Sequence, residues 1–160
     1  KFPAIEILYS TSETHKVIAE AIQEMWSKRL GIKVTLTNQE WKVYLQSREQ
    51  GNFQVARASW VGDYVDPMTF LDLWVGNNGN NFSGWSNPQY DKLIDKAKST
   101  ADQKLRMQTL HQAEKLLMSE MPIAPIYFYT RPYLMKNWVK GLRYSSVGYI
   151  DFSGTYIIAH

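Results

Sequence analysis

An α/β fold, with a mixed β-sheet flanked by helices, is predicted by three features of the sequence. Ile5, Ile7 and Tyr9, and again Ile32, Val34 and Leu36, alternate with polar or small neighbours, which is the two-residue period of strands. Between these runs, apolar residues recur at helical spacing, so the segment reads strand, helix, strand. The pattern then repeats, because a helical run over 40–50 leads into an apolar run over 53–60. If the strands are parallel, each crossover is expected to be right-handed.

Ser10 to Ser12 end the first strand. In the helix from Glu13, the residues Val17, Ile18, Ala21, Ile22, Met25 and Trp26 form the apolar face, with Lys16, Glu20, Gln23, Glu24 and Lys28 opposite. Leu30-Gly31 closes it, glycine being the usual residue past a helix C-terminus. In the next strand Lys33, Thr35 and Thr37 point away from the apolar side. Trp41, Tyr44 and Leu45 share one side of the second helix, which stops at Gly51. Phe53 to Trp60 reads as a strand that carries Arg57 where a buried strand would hold an aliphatic residue, so Arg57 needs an anionic partner. Gly62 permits a backbone geometry closed to other residues and lets another chain approach. Asp66 is placed as N-cap with Pro67 at the first helical position. Gly76 to Asn81 is a polar surface loop, expected to be flexible. Asn87-Pro88 starts another helix in the same manner, with Tyr90, Leu93, Ile94 and Ala97 facing inward. Asp102 caps the next, which runs through Leu105, Leu110, Ala113, Leu116 and Leu117 toward Met121. Pro122 and Pro125 bracket a change to a strand over Ile123 to Tyr129, which Pro125 assigns to a sheet edge or a strand beginning. Short strands and loops are expected over 131–160.

With 160 residues, 44% of them hydrophobic, and no compositional break, the chain reads as a single domain, 1–160. The net charge of +3 comes from Lys and Arg interspersed with Asp and Glu, so no basic run points to a nucleic-acid partner. No apolar run approaches the about 18 residues of a membrane span, and no basic segment followed by an apolar one opens the chain. The absence of cysteine excludes disulfides, thiolate metal sites and a lipid-modified cysteine within it. Starting at Lys1-Phe2-Pro3 without Met, it reads as a piece of a longer protein.

Chemistry-bearing residues crowd into Arg57 to Asp72. Arg57 and Asp63 admit two readings from residue type. They form a structural ion pair with each other or a neighbour, or Asp63 takes an ammonium group and Arg57 a carboxylate, which suits a zwitterion such as a peptide. Trp60, Tyr64, Trp74 and Trp85 serve equally as core residues or as pocket walls. Asp63 and Asp66 could act as paired carboxylates in acid–base catalysis, although a helix cap accounts for Asp66 without it. His15, His111 and His160 lie apart from one another and from acidic clusters, and no metal site is implied. Nucleophile-elbow, phosphate-loop and dinucleotide motifs are absent, so no cofactor is indicated. Tyr129-Thr130-Arg131-Pro132-Tyr133 interleaves aromatic and basic residues as a nucleobase-stacking surface does, but a short edge strand produces the same pattern.

The sequence resembles the extracytoplasmic solute-binding proteins of ABC importers, specifically the oligopeptide- and dipeptide-binding branch (family 5). The resemblance runs through Ser10-Thr11-Ser12-Glu13, Gly31 to Leu36, Trp41, Arg57 to Asp72, Ser86 to Asp91, Ala113 to Met118 and Pro122 to Tyr127. Asp63-Tyr64-Val65-Asp66-Pro67 is its most specific piece. It implies the C-terminal lobe of a type II periplasmic-binding-protein fold, with 131–160 a candidate to pack against a missing N-terminal lobe. It also implies a non-catalytic role in which an extended peptide lies between two lobes. Asp63 would take the α-ammonium group, Arg57 the carboxylate of a short peptide, main-chain groups at Ser59 and Val61 the peptide backbone, and Trp60 a pocket wall beside Tyr64. The implied partners are a peptide, the permease subunits and the other lobe. The implied location is the periplasm or, as a lipoprotein, the cell surface. Alternatives are a hydrolase lobe using Asp63 and Asp66, or a receptor for a non-peptide solute such as a nickel complex or a sugar.

Overall fold

The computed structural model describes residues 2–159, so Lys1 and His160 lie outside the described residues. The fold is α/β. It forms two compact units, Lys1–Trp60 with Gly76–Trp85, and Val61–Val75 with Ser86–His160. Parallel and antiparallel strand pairings both occur, in separate sheets.

The first unit is organised around strand β1 (Ile5–Ser10). It pairs in parallel with β2 (Val34–Gln39) along its whole length and with β3 (Val55–Ala56) at Ile7 and Leu8, giving the order β2-β1-β3. Alternation would leave every second residue of β1 exposed, yet Ile7, Leu8, Tyr9 and Ser10 are all buried. A central parallel strand is covered on both faces by its crossover helices, which removes the polar face. Those helices are α1 (Glu13–Leu30) and α2 (Trp41–Glu49).

Helix α1 ends at Gly31 in the left-handed conformation (φ 66°) that glycine adopts without steric cost. The face it buries is rotated from the one expected. Ala19 is buried, and Ile22 and Trp26 pack against the cluster of Ile7, Ile32 and Val34, whereas Val17 and Met25 are exposed. Gln23, expected to face solvent, donates to the Val34 carbonyl at 2.8 Å. This bond ties the helix to β2 and accounts for a polar residue facing the sheet. Tyr44 of α2 is fully buried, and the half-exposed Trp41 stacks on it with ring centroids 5.7 Å apart. The polar loop after Gly76 is tied by side chain to main chain bonds, Asn78 accepting from Asn80 and Asn81 donating to the Trp85 carbonyl. Arg48 lies over the Phe82 ring at 5.1 Å.

In the second unit, α3 (Met68–Leu71) and a 3₁₀ turn (Asp72–Trp74) pack with the paired helices α4 (Pro88–Ser99) and α5 (Gln103–Glu120). Both long helices start as the sequence predicts. Asn87 accepts from the N–H groups of Gln89 and Tyr90 with Pro88 in the first turn, and Asp102 accepts from those of Lys104 and Leu105. Their buried line is Tyr90, Ile94, Ala97, Thr109, Leu110, Ala113 and Leu117. The Tyr90 hydroxyl donates to the Leu71 carbonyl at 2.6 Å, joining α4 to α3. Burial, with smaller contributions from the Asp72 and Asp91 carboxylates, holds this phenol far above its ordinary pKa.

Two expectations fail here. The helix after Asp66 starts at Met68 with Pro67 in the cap position, although Asp66 Oδ1 still accepts from the Met68 N–H at 2.8 Å. Ile123 to Tyr129 joins no ladder among the described residues, and Ile126 and Phe128 are exposed. Apolar composition cannot make a strand without a neighbour to receive its main-chain groups, and Pro125 has no N–H to offer one. After it come two antiparallel ribbons, β4 (Val139–Lys140) with β7 (Tyr156–Ile157) and β5 (Arg143–Tyr144) with β6 (Ile150–Asp151). Among the described residues, no helix is long and apolar enough to cross a membrane.

Replacing Tyr90 by Phe removes the bond from α4 to α3, while the Leu71 carbonyl still opens the 3₁₀ turn. Urea denaturation followed by circular dichroism should show a loss of about 0.5–1.5 kcal/mol, the net contribution of one hydrogen bond.

Candidate functional site

The candidate residues divide between the units, Arg57, Ser59 and Trp60 in the first and Val61, Asp63 and Tyr64 in the second. The strand expected over Phe53 to Trp60 pairs only at Val55–Ala56. Arg57 therefore sits at the exit of β3, partly buried, rather than within a buried strand. Its main chain is held at both ends. The Arg57 N–H donates to the Leu8 carbonyl at 2.8 Å, and the Tyr44 hydroxyl donates to the Arg57 carbonyl. The last bond of the sheet thus fixes the residue at the C-terminal ends of the parallel strands, where open α/β sheets place their ligands.

His15, set aside in the sequence as isolated, belongs to this end of the sheet. Its Nδ1 lies 3.0 Å from the hydroxyl and 3.2 Å from the carbonyl oxygen of Ser10, the buried last residue of β1. Burial and the positive charge of Arg57 hold its pKa below the ordinary histidine value, opposed by the bond to Ser10. The available signal was its position just after a strand end, in the first turn of a crossover helix. His111, by contrast, is exposed and pairs with Glu114 on the same helix.

From Ala58 to Gly62, among the described residues, no main-chain N–H or carbonyl makes a hydrogen bond. Ser59, Trp60 and Val61 are exposed, Trp60 by 39%. Peptide groups in this condition are solvated or are completed by another chain.

On the second unit's side, the Asp63 side chain is exposed while its main-chain N–H donates to Thr69 Oγ1 at 3.0 Å. Gly62 does not have a positive φ. Its reason is space, because an added Cβ would lie 3.2 Å from both the Phe70 ring and Thr69 Cγ2. Tyr64 is about half exposed, and burial, followed by the Asp72 and Asp66 carboxylates, raises its pKa. Asp66 meets Arg106 through two parallel bonds, Nη1 to Oδ2 at 2.7 Å and Nη2 to Oδ1 at 2.8 Å. Arg106 holds the Asp66 carboxyl below its ordinary pKa, so it stays ionised and engaged, unlike a general acid. Asp72 pairs with Lys98 at 2.6 Å. Among the described residues, no group of three or more His, Asp or Glu side chains could hold a metal ion.

The family model described as "Bacterial extracellular solute-binding proteins, family 5 Middle" matches residues 1–82, slightly more than half of the chain. The chain belongs to this family. The family 5 chain is 46% identical over 151 residues to the dipeptide-binding protein DppE of Bacillus subtilis (strain 168), covering 94% of this chain and 28% of that protein. It is 47% identical over 157 residues to the periplasmic murein peptide-binding protein MppA of Escherichia coli (strain K12), covering 98% of this chain and 29% of that protein. Among solved structures it matches Haemophilus influenzae OppA in complex with RPPGFSPFR, with a TM-score of 0.84 and 38% identity over 98% of this chain and 31% of that one. The chain thus spans under a third of the length of these relatives.

A histidine whose pKa is lowered on folding binds fewer protons than its unfolded counterpart. Stability is therefore lost as pH falls through the unfolded value, about 6.5, toward the folded one. NMR titration should place His15 below an exposed histidine. Arg57→Ala should raise its pKa and Arg57→Lys leave it low.

Proposed function

We propose that this chain is one lobe of a peptide-binding receptor of an ABC importer. It captures peptides outside the cytoplasmic membrane and delivers them to the permease subunits. The observation that carries the reading is the run of unpaired main chain from Ala58 to Gly62 in a family 5 chain, beside the exposed carboxylate of Asp63. Main-chain groups at Ser59 and Val61 pair with the peptide backbone in the manner of an added strand. Asp63 takes the α-ammonium group, and Arg57 a carboxylate of a short peptide. Trp60 and Tyr64 contribute aromatic surface to side-chain pockets. Backbone and end groups are common to all peptides, so this mode gives affinity with little reading of sequence.

The chain, 1–160, constitutes the C-terminal lobe, and the rest of the receptor supplies the opposing N-terminal lobe. The exposed apolar side chains between Ile126 and Met135 support a partner surface of this kind. The protein is a receptor and not an enzyme. Against a hydrolase built on Asp63 and Asp66 stands the Asp66 carboxylate, already committed to Arg106 and to the Met68 N–H.

Asp63→Ala in the full-length protein should weaken peptide binding by roughly 10- to 100-fold in calorimetry, the loss of a charge-assisted contact, with its melting curve unchanged. Mass spectrometry should recover the peptide intact. An unchanged affinity would remove Asp63 from the site, and cleaved peptide would favour the hydrolase. The chain expressed alone should bind the same peptide at least roughly 100-fold more weakly, because closure by a second lobe supplies contacts and desolvation.

A further inference from the structure

The Asp63 corner carries no regular structure of its own, so something else must fix where its carboxylate sits. A continuous hydrogen-bond path within the second unit does so. Arg106, in the first turns of α5, forks onto both oxygens of Asp66. The pair is largely shielded, with the two side chains 17% and 26% exposed. Asp66 is gripped further by the Met68 N–H on Oδ1, and its carbonyl accepts from the Thr69 N–H at 3.2 Å. Thr69 is buried, and its hydroxyl receives the Asp63 N–H. The Asp66 N–H in turn donates to the Tyr64 carbonyl at 3.0 Å, which folds 63–66 into one tight corner. Each bond leads from α5 to the residue proposed to meet the ligand.

We infer that Arg106 is a positioning residue for the ligand's ammonium site, acting through Asp66 and Thr69 on Asp63. It sets how well the receptor distinguishes a charged peptide amine from a neutral one. This rests on the proposed role of Asp63. A bidentate fork onto a carboxylate fixes both distance and plane, which a single lysine contact does not. A carboxylate displaced by an ångström loses most of its preference for a cation while the rest of a long ligand still binds.

The test compares a peptide with its N-acetylated form by calorimetry in the full-length protein. The wild type should favour the free amine by roughly 10- to 100-fold. In Arg106→Gln this ratio should fall by about tenfold, with affinity for the acetylated peptide nearly unchanged. Arg106→Lys, which keeps the charge but loses the fork, should fall between them and serves if the glutamine variant does not fold. Lys98→Ala, which breaks the neighbouring Asp72 pair, should keep the wild-type ratio. A wild type indifferent to acetylation overturns the Asp63 reading and this inference with it. A discriminating wild type whose ratio survives both Arg106 variants overturns this inference alone. Equal losses for both peptides reduce Arg106 to a structural role and also overturn it.

Discussion

Strand β1 is hydrogen-bonded along both edges and buried on both faces, and the first unit depends on that condition. A strand so placed can carry no polar face, which is why Ile7 to Ser10 are buried in succession. It also needs a helix on each side, and a parallel neighbour can be reached only through such a crossover. The same sheet determines where β3 stops. Its last bond, from Arg57 to Leu8, leaves Arg57 at the C-terminal end of the strands with its main chain held by a buried tyrosine.

The second unit solves a different problem. Its four-residue helix and the corner before it are too short to be stable alone, since a helical nucleus costs more than one turn returns. Stability is borrowed from the pair α4 and α5, through the Tyr90 hydroxyl on Leu71 and the Arg106 fork on Asp66. Both bonds join positions far apart in sequence, and both remove polar groups from partial burial in a satisfied form.

Family membership and geometry complement each other along 57–63. Relatives described as binding peptides share the sequence over nearly the whole chain, yet relatedness does not say which atoms would meet a ligand. Exposed main-chain groups without a protein partner do supply candidates, because solvated peptide groups are open to pairing with another chain. The placement of His15 beside Ser10 and within the field of Arg57 adds a titratable group to that end of the sheet.

Local chemistry made much of this legible in advance. Helix starts at Asn87-Pro88 and Asp102, the stop at Gly31 and the strand periods of β1 and β2 follow from propensities and caps that act over a few residues. The crowding of Arg57, Asp63 and their aromatic neighbours was equally visible, as was the resemblance carried by Asp63 to Pro67. What only the tertiary structure decided are the long-range choices. It turned Gln23 of α1 toward the sheet, ended β3 after two paired residues and denied Ile123 to Tyr129 a partner strand. It also gave Asp66 to Arg106, forty residues away. The physical reason is common to all four: a hydrogen-bonding or packing partner is a property of position in space, and neither the residue's type nor its neighbours in the chain encode which group will arrive.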